Sequence, residues 1–172
     1  MRRVGTLLLS LACSLAGAAA FATPAQALDN GVYVIRDLAT GSCLTPGTRN
    51  TAIGGVPAVL GACTRWRVEN ERPGQATLVD LTSSGRDQRC LDRDVPNKLI
   101  VYPCIFPQQW LVPTDAAAPT KLRNVETGLC ATIVPGSSGT LQPCDTATTW
   151  RFEPVPPGGE PCPPDESATE RG

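Results

Sequence analysis

The sequence predicts an all-β domain assembled from three related four-stranded units, and three observations predict it. Trp66, Trp110 and Trp150 stand 44 and 40 residues apart, and each follows a pair of cysteines. Those pairs are Cys43 and Cys63, Cys90 and Cys104, and Cys130 and Cys144. Between them run short β-branched and aromatic stretches broken by Gly, Pro, Asn and Asp, with no helical period. A unit of roughly 42 residues has too little apolar surface to fold alone, so the units must share a core. A propeller needs about four blades or more. Three four-stranded units therefore point to a closed twelve-strand assembly with pseudo-threefold symmetry, a β-trefoil, with one disulfide inside each repeat. The expected repeats run over about 28–70, 71–114 and 115–155.

In the first unit, Leu28-Asp29-Asn30-Gly31 reads as an opening turn and Val32 to Ile35 as a strand, ended by Asp37 and Thr40-Gly41. Cys43-Leu44 starts a second strand, closed by Pro46-Gly47. Val56 to Leu60 and Trp66-Arg67-Val68 supply the third and fourth. The third unit repeats this opening without a gap, Ile35 to Cys43 aligning on Leu122 to Cys130. The second unit begins in the same way at Leu78-Val79-Asp80-Leu81-Thr82, but carries three extra residues within Ser83 to Arg89, where a longer loop is expected. The tryptophans are expected to pack inward once per unit, because one aromatic per repeat at one register is what a shared core requires.

The ends differ from this body. Arg2 and Arg3 precede an Ala/Leu-rich run, and Ala25-Gln26-Ala27 fits a small-x-small cleavage site, so residues 1–27 read as a signal peptide. Cys13 raises a lipoprotein anchor as an alternative, but Ser10 stands where that signal wants an aliphatic residue. The predicted mature chain of 145 residues is enough for one domain, 28–155, with a real core. From Pro156 to Gly172 the chain is Pro-rich and acidic and is expected to be a disordered tail. Cys162 in that tail is the odd cysteine of the exported chain, either a free thiol or a link to another chain. In an exported protein, six cysteines at paired spacings imply disulfides. Each closes a loop of roughly 14 to 20 residues and is worth about 3 kcal/mol in the chain-entropy model. Thiolate zinc sites prefer close Cys-x-x-Cys spacing, so neither metal nor cofactor is expected.

Composition excludes several functions. The chain contains no histidine, which removes Ser-His-Asp and Cys-His catalysis and histidine metal sites. Leu28 to Val155 holds 12 basic and 12 acidic residues with no run of either sign, whereas a nucleic-acid binder carries a basic stripe. No transmembrane segment is expected in the mature chain, which reads as a secreted monomer.

The second unit shows the repeat pattern best, as Cys90-Leu91-Asp92, then Leu99-Ile100-Val101-Tyr102-Pro103-Cys104, then Gln108-Gln109-Trp110. This pattern resembles that of the ricin B-chain-like β-trefoil lectins, which include the family-13 carbohydrate-binding modules, over about Leu28 to Val155. The resemblance implies a shallow sugar pocket in each competent repeat. Asp92 matches the family's aspartate that accepts hydrogen bonds from sugar hydroxyls, Tyr102 its stacking aromatic, and Gln108 the glutamine that steadies the site. A carboxylate is acceptor-only, and an aromatic offers an apolar face with a polar rim, so the residue types suit the task. Pro107 stands where an amide is usual, and Ile100 where some members place a polar contact. Thr45, Gly61 and Thr64 occupy the three places in the first unit, and Thr132, Gln142 and Thr148 in the third. At most one weak site, in the second unit, is implied.

Each of these residues also has a plainer reading. Asp92 fits a turn carboxylate bonded to its own backbone, Tyr102 a ring packed on the disulfide, and Gln108 a structural amide. The leading expectation is a secreted, non-catalytic carbohydrate-binding module taking a galactoside or polysaccharide. The alternative is a protein-binding trefoil such as a protease inhibitor, with Thr45 to Gly55 or Ser83 to Arg89 as the presented loop. Asp92 and Asp94 are the only close acidic couple near the site. With two-residue spacing in a turn they lack the arrangement of a glycosidase pair.

Overall fold

The computed structural model describes residues 28–48, 55–83 and 85–156. The expected leader (1–27, with Cys13), residues 49–54 of the first-unit loop, and residues 157–172 of the expected tail (with Cys162) lie outside the described residues.

The described residues form twelve strands: β1 (Gly31–Asp37), β2 (Cys43–Pro46), β3 (Val56–Gly61), β4 (Trp66–Arg72), β5 (Gln75–Asp80), β6 (Arg89–Asp94), β7 (Lys98–Pro103), β8 (Trp110–Leu111), β9 (Arg123–Asn124), β10 (Cys130–Thr132), β11 (Thr140–Gln142) and β12 (Trp150–Pro154). Their side chains alternate as a half-buried strand requires. In β4, Trp66 and Val68 are buried while Arg67 and Glu69 are not. The insertion in the second unit forms a short 3₁₀ turn, Gly85–Asp87, between β5 and β6.

All strands belong to one antiparallel sheet. Along one edge of the molecule β1 pairs with β4, β4 with β5, β5 with β8 and β8 with β9. A Thr120–Trp150 bridge then leads to β12, which pairs back onto β1 and closes the barrel. The hairpins β2–β3, β6–β7 and β10–β11 are joined to one another through β3–β7 and β7–β11. They meet at Gly139, whose N–H donates to Ala58 O at 2.7 Å and whose carbonyl accepts from Leu99 N at 2.9 Å. A Cβ there would lie 2.9 Å from Leu99 Cβ, so only glycine allows this approach.

The expectation of a β-trefoil of three equivalent four-stranded repeats is corrected by this arrangement, which is a closed antiparallel β-barrel carrying three disulfides. The pairings β4–β5, β8–β9, β3–β7 and β7–β11 all cross the expected unit boundaries. The units are also unequal. The strands of the first span 7, 4, 6 and 7 residues, whereas β9, β10 and β11 span only 2, 3 and 3. Strands that short cannot close a unit among themselves, so they are held by partners from elsewhere in the barrel.

The core is one apolar cluster in which Trp66, Trp110, Trp150, Phe152, Ile35 and Leu122 are fully buried. A buried indole needs a partner for its N–H, and each finds one in the backbone of a neighbouring hairpin strand. Trp66 Nε1 donates to Leu44 O at 2.9 Å, Trp110 Nε1 to Leu91 O at 3.1 Å and Trp150 Nε1 to Ala131 O at 3.4 Å. Three buried polar residues, Asp37, Asp80 and Asn124, cap the turns that leave β1, β5 and β9. Asp37 accepts from Ala39 N and Thr40 Oγ1, Asp80 from Thr82 N and Oγ1, and Asn124 from Thr127 N and Oγ1. The disulfides Cys43–Cys63, Cys90–Cys104 and Cys130–Cys144 each tie a hairpin across its base.

Candidate functional site

The hairpin β6–β7 carries the residues singled out in the second unit. Its register sets Cys90 opposite Tyr102, Asp92 opposite Ile100 and Asp94 opposite Lys98. Side chains two apart share a face of a strand. Leu91, Leu99 and Val101 point into the core and are fully buried, so Asp92 and Tyr102 lie on the opposite, outer face. They are diagonal neighbours there, a spacing that aromatic and long side chains bridge.

Asp92 Oδ1 accepts from Arg93 N at 2.6 Å. Its other oxygen has no hydrogen bond among the described residues. Burial pushes the Asp92 carboxyl above the usual aspartate range; the Arg93 N–H bond and charge oppose that shift, while Glu126 and Asp94 add to it. Arg93 is ion-paired with Glu126, which fastens β6 to the turn after β9. Asp94 closes the hairpin tip, Oδ1 accepting from Val95 N at 2.8 Å.

Tyr102 is half-buried. Its ring lies beside Gly55, where an added Cβ would come 3.2 Å from Tyr102 Cδ2. The glycine before β3 thus gives the ring room to lie along the strand, a role with no signal in the sequence beyond Gly54-Gly55.

Gln108 is used differently. Its Oε1 accepts from Asn124 Nδ2 at 3.2 Å, holding the loop before β8 to the buried cap of β9. In the other two units the matching threonines serve their own hairpins. Thr64 Oγ1 donates to Leu44 O at 3.3 Å, and Thr148 Oγ1 accepts from Ile133 N at 2.9 Å. The structure therefore brings Asp92 and Tyr102 together and gives Gln108 a structural bond. The tryptophans are core residues, and the six paired cysteines are in disulfides. Among the described residues no group of three or more His, Cys, Asp or Glu side chains is placed to hold a metal ion.

No protein-family profile matches the chain, and no curated protein matches it. Solved structures share its fold, among them the following two. One is a salivary protein from Culex quinquefasciatus of the cysteine- and tryptophan-rich (CWRC) family, with a TM-score of 0.58 and 13% identity over 75% of this chain and 96% of that one. The other is the lysenin pore, with a TM-score of 0.57 and 15% identity over 74% of this chain. The chain spans about half of lysenin's length, 47%. At these identities the likeness is one of fold alone.

These findings correct the resemblance to the ricin B-chain-like lectins and family-13 modules. The physical reason lies in the residues that carried it. The cysteine and tryptophan spacings are demands of barrel packing, a disulfide at each hairpin base and an indole N–H on each hairpin carbonyl. They report a scaffold and no ligand. Asp92 and Tyr102 stand on their own geometry. The three disulfides are compatible with an extracellular location, and among the described residues no helix is long and apolar enough to cross a membrane.

Proposed function

We propose that this is an exported, non-catalytic binding protein that holds a carbohydrate on the outer face of β6–β7. The observation that carries the reading is the pairing on one face of a half-buried carboxylate with an unbonded oxygen and a half-buried tyrosine ring. A sugar ring resting on Tyr102 would offer its hydroxyls to Asp92, a strong acceptor because it is partly desolvated. The face is open and contributes few groups, so binding is weak, with Kd of about 0.1 to 10 mM, roughly −5.5 to −2.7 kcal/mol. Calorimetric titration with galactosides, xylo-oligosaccharides and arabinans tests it. Saturable binding lost in both Asp92→Ala and Tyr102→Ala is the expected result; binding that survives both substitutions would refute the site.

A protein partner is a second reading, favoured by one observation. Ile105 and Phe106, just past Cys104, are 64% and 84% exposed. Exposed apolar side chains that join into a contiguous patch mark contact surfaces, and these two are adjacent. Unchanged binding to a purified partner after Phe106→Ser would remove this reading.

A further inference from the structure

A cavity of about 490 Å³ opens beside β8 and β9, against the Cys130–Cys144 disulfide. Leu111, Val112 and the disulfide form an apolar part of its wall, and Lys121 and Arg123 supply two cations. Among the described residues no carboxylate lines it, and neither Lys121 nor Arg123 is ion-paired with a carboxylate.

Both cations are instead held by neutral oxygens. Lys121 Nζ donates to Ala147 O and, at 2.8 Å, to Thr149 Oγ1. Arg123 Nε donates to Gly128 O at 3.0 Å. These bonds position the heads without neutralising them, and they leave donors over, an ammonium N–H and the terminal guanidinium N–H groups. The strand explains the aim: on β9 the buried Asn124 faces the core, so its neighbour Arg123 faces out. Two uncompensated charges beside a concave apolar wall raise the local anion concentration, and a guanidinium presents a fork that matches an oxyanion. A cavity of this size suits a ligand of one or two rings.

We propose that this cleft binds a small ring-bearing oxyanion, a carboxylate or sulfate ester whose charge engages Arg123 and Lys121 and whose ring lies on Leu111 and Val112. This site is separate from the Asp92–Tyr102 face, and the test keeps the two apart. The mature protein is titrated by NMR at low ionic strength with galacturonate, galactose 6-sulfate, neutral galactose and inorganic sulfate. Galacturonate and galactose 6-sulfate distinguish a carboxylate from a sulfate source. At least one of them is expected to bind about tenfold or more tighter than galactose, a difference of about 1.4 kcal/mol, with shifts at residues 111–112 and 121–123. Binding should weaken as salt rises and fall about tenfold in Arg123→Gln, an exposed position whose change leaves the fold intact. It should persist in Asp92→Ala. No saturable binding of either sugar anion, equal affinity for galactose or inorganic sulfate, or unchanged affinity in Arg123→Gln would each overturn the proposal. So would loss in Asp92→Ala, which would move the anion to the other face.

Discussion

The hairpins β6–β7 and β10–β11 are built on one plan and finished differently. In both, the first cysteine faces a residue on the return strand, Cys90 opposite Tyr102 and Cys130 opposite Gln142. In both, the next pair points inward, Leu91 with Val101 and Ala131 with Leu141, all buried. Each is closed by a disulfide of sequence separation 14 and receives an indole N–H on its inward strand. Beyond that first cysteine the outer faces share nothing. One carries Asp92, Ile100 and Tyr102, the other Thr132, Thr140 and Gln142. The barrel dictates what points inward and leaves the outer face unconstrained, and it is there that the two hairpins can differ in function.

Breaking the shared plan should cost both hairpins alike. Trp110→Ala and Trp150→Ala each remove a fully buried indole, so each should lower unfolding free energy by about 3–5 kcal/mol, read by chemical denaturation. A loss confined to one of them would show that the two hairpins do not share the core equally. Next come the disulfides. Replacing both cysteines of the Cys90–Cys104 bridge, or both of the Cys130–Cys144 bridge, opens loops of equal length. Each change should cost about 3 kcal/mol, but only the first should abolish binding of neutral saccharides, because only that hairpin presents Asp92 and Tyr102.

The smallest effect sharpens the contrast most. Burial raises the Asp92 carboxyl above its ordinary range, so folding favours the protonated form. That contribution is fully present below the unfolded-state value and is lost as pH rises through the raised folded-state value. Asp92→Asn should therefore match the parent in acid and exceed it in stability at pH 7, as thermal melts across pH would show. Thr132→Asn, on the matching position of β10, should show no such pH dependence. A parent whose stability relative to Asp92→Asn does not change with pH would mean that Asp92 is as well solvated as a surface carboxylate.

Part of the molecule was legible because it is local. Val32 to Ile35 and Val56 to Leu60 lie within β1 and β3, where alternation and β-branching declare a strand over a few residues. The extra residues at Ser83 to Arg89 announced a loop, and one is there. The candidate site was half legible. Asp92 and Tyr102 sit at positions whose spacing from the cysteines fixes their common face once β6 and β7 pair. The bond by which Gln108 holds Asn124 was not legible, because it spans 16 residues and leaves no periodic trace.

The amino-acid sequence by itself determined the strands, their inward side chains and the absence of histidine chemistry, since each follows from residue type and short spacing. Only the tertiary structure decided how the strands close. The pairings β3–β7, β7–β11 and β12–β1 join segments far apart in the chain, and they follow from the combined packing of three indoles in one core. The same closure placed Lys121 and Arg123 on one cleft and the Gly55 backbone beside Tyr102. Such juxtapositions depend on distances across the barrel, and no pattern along the chain encodes them.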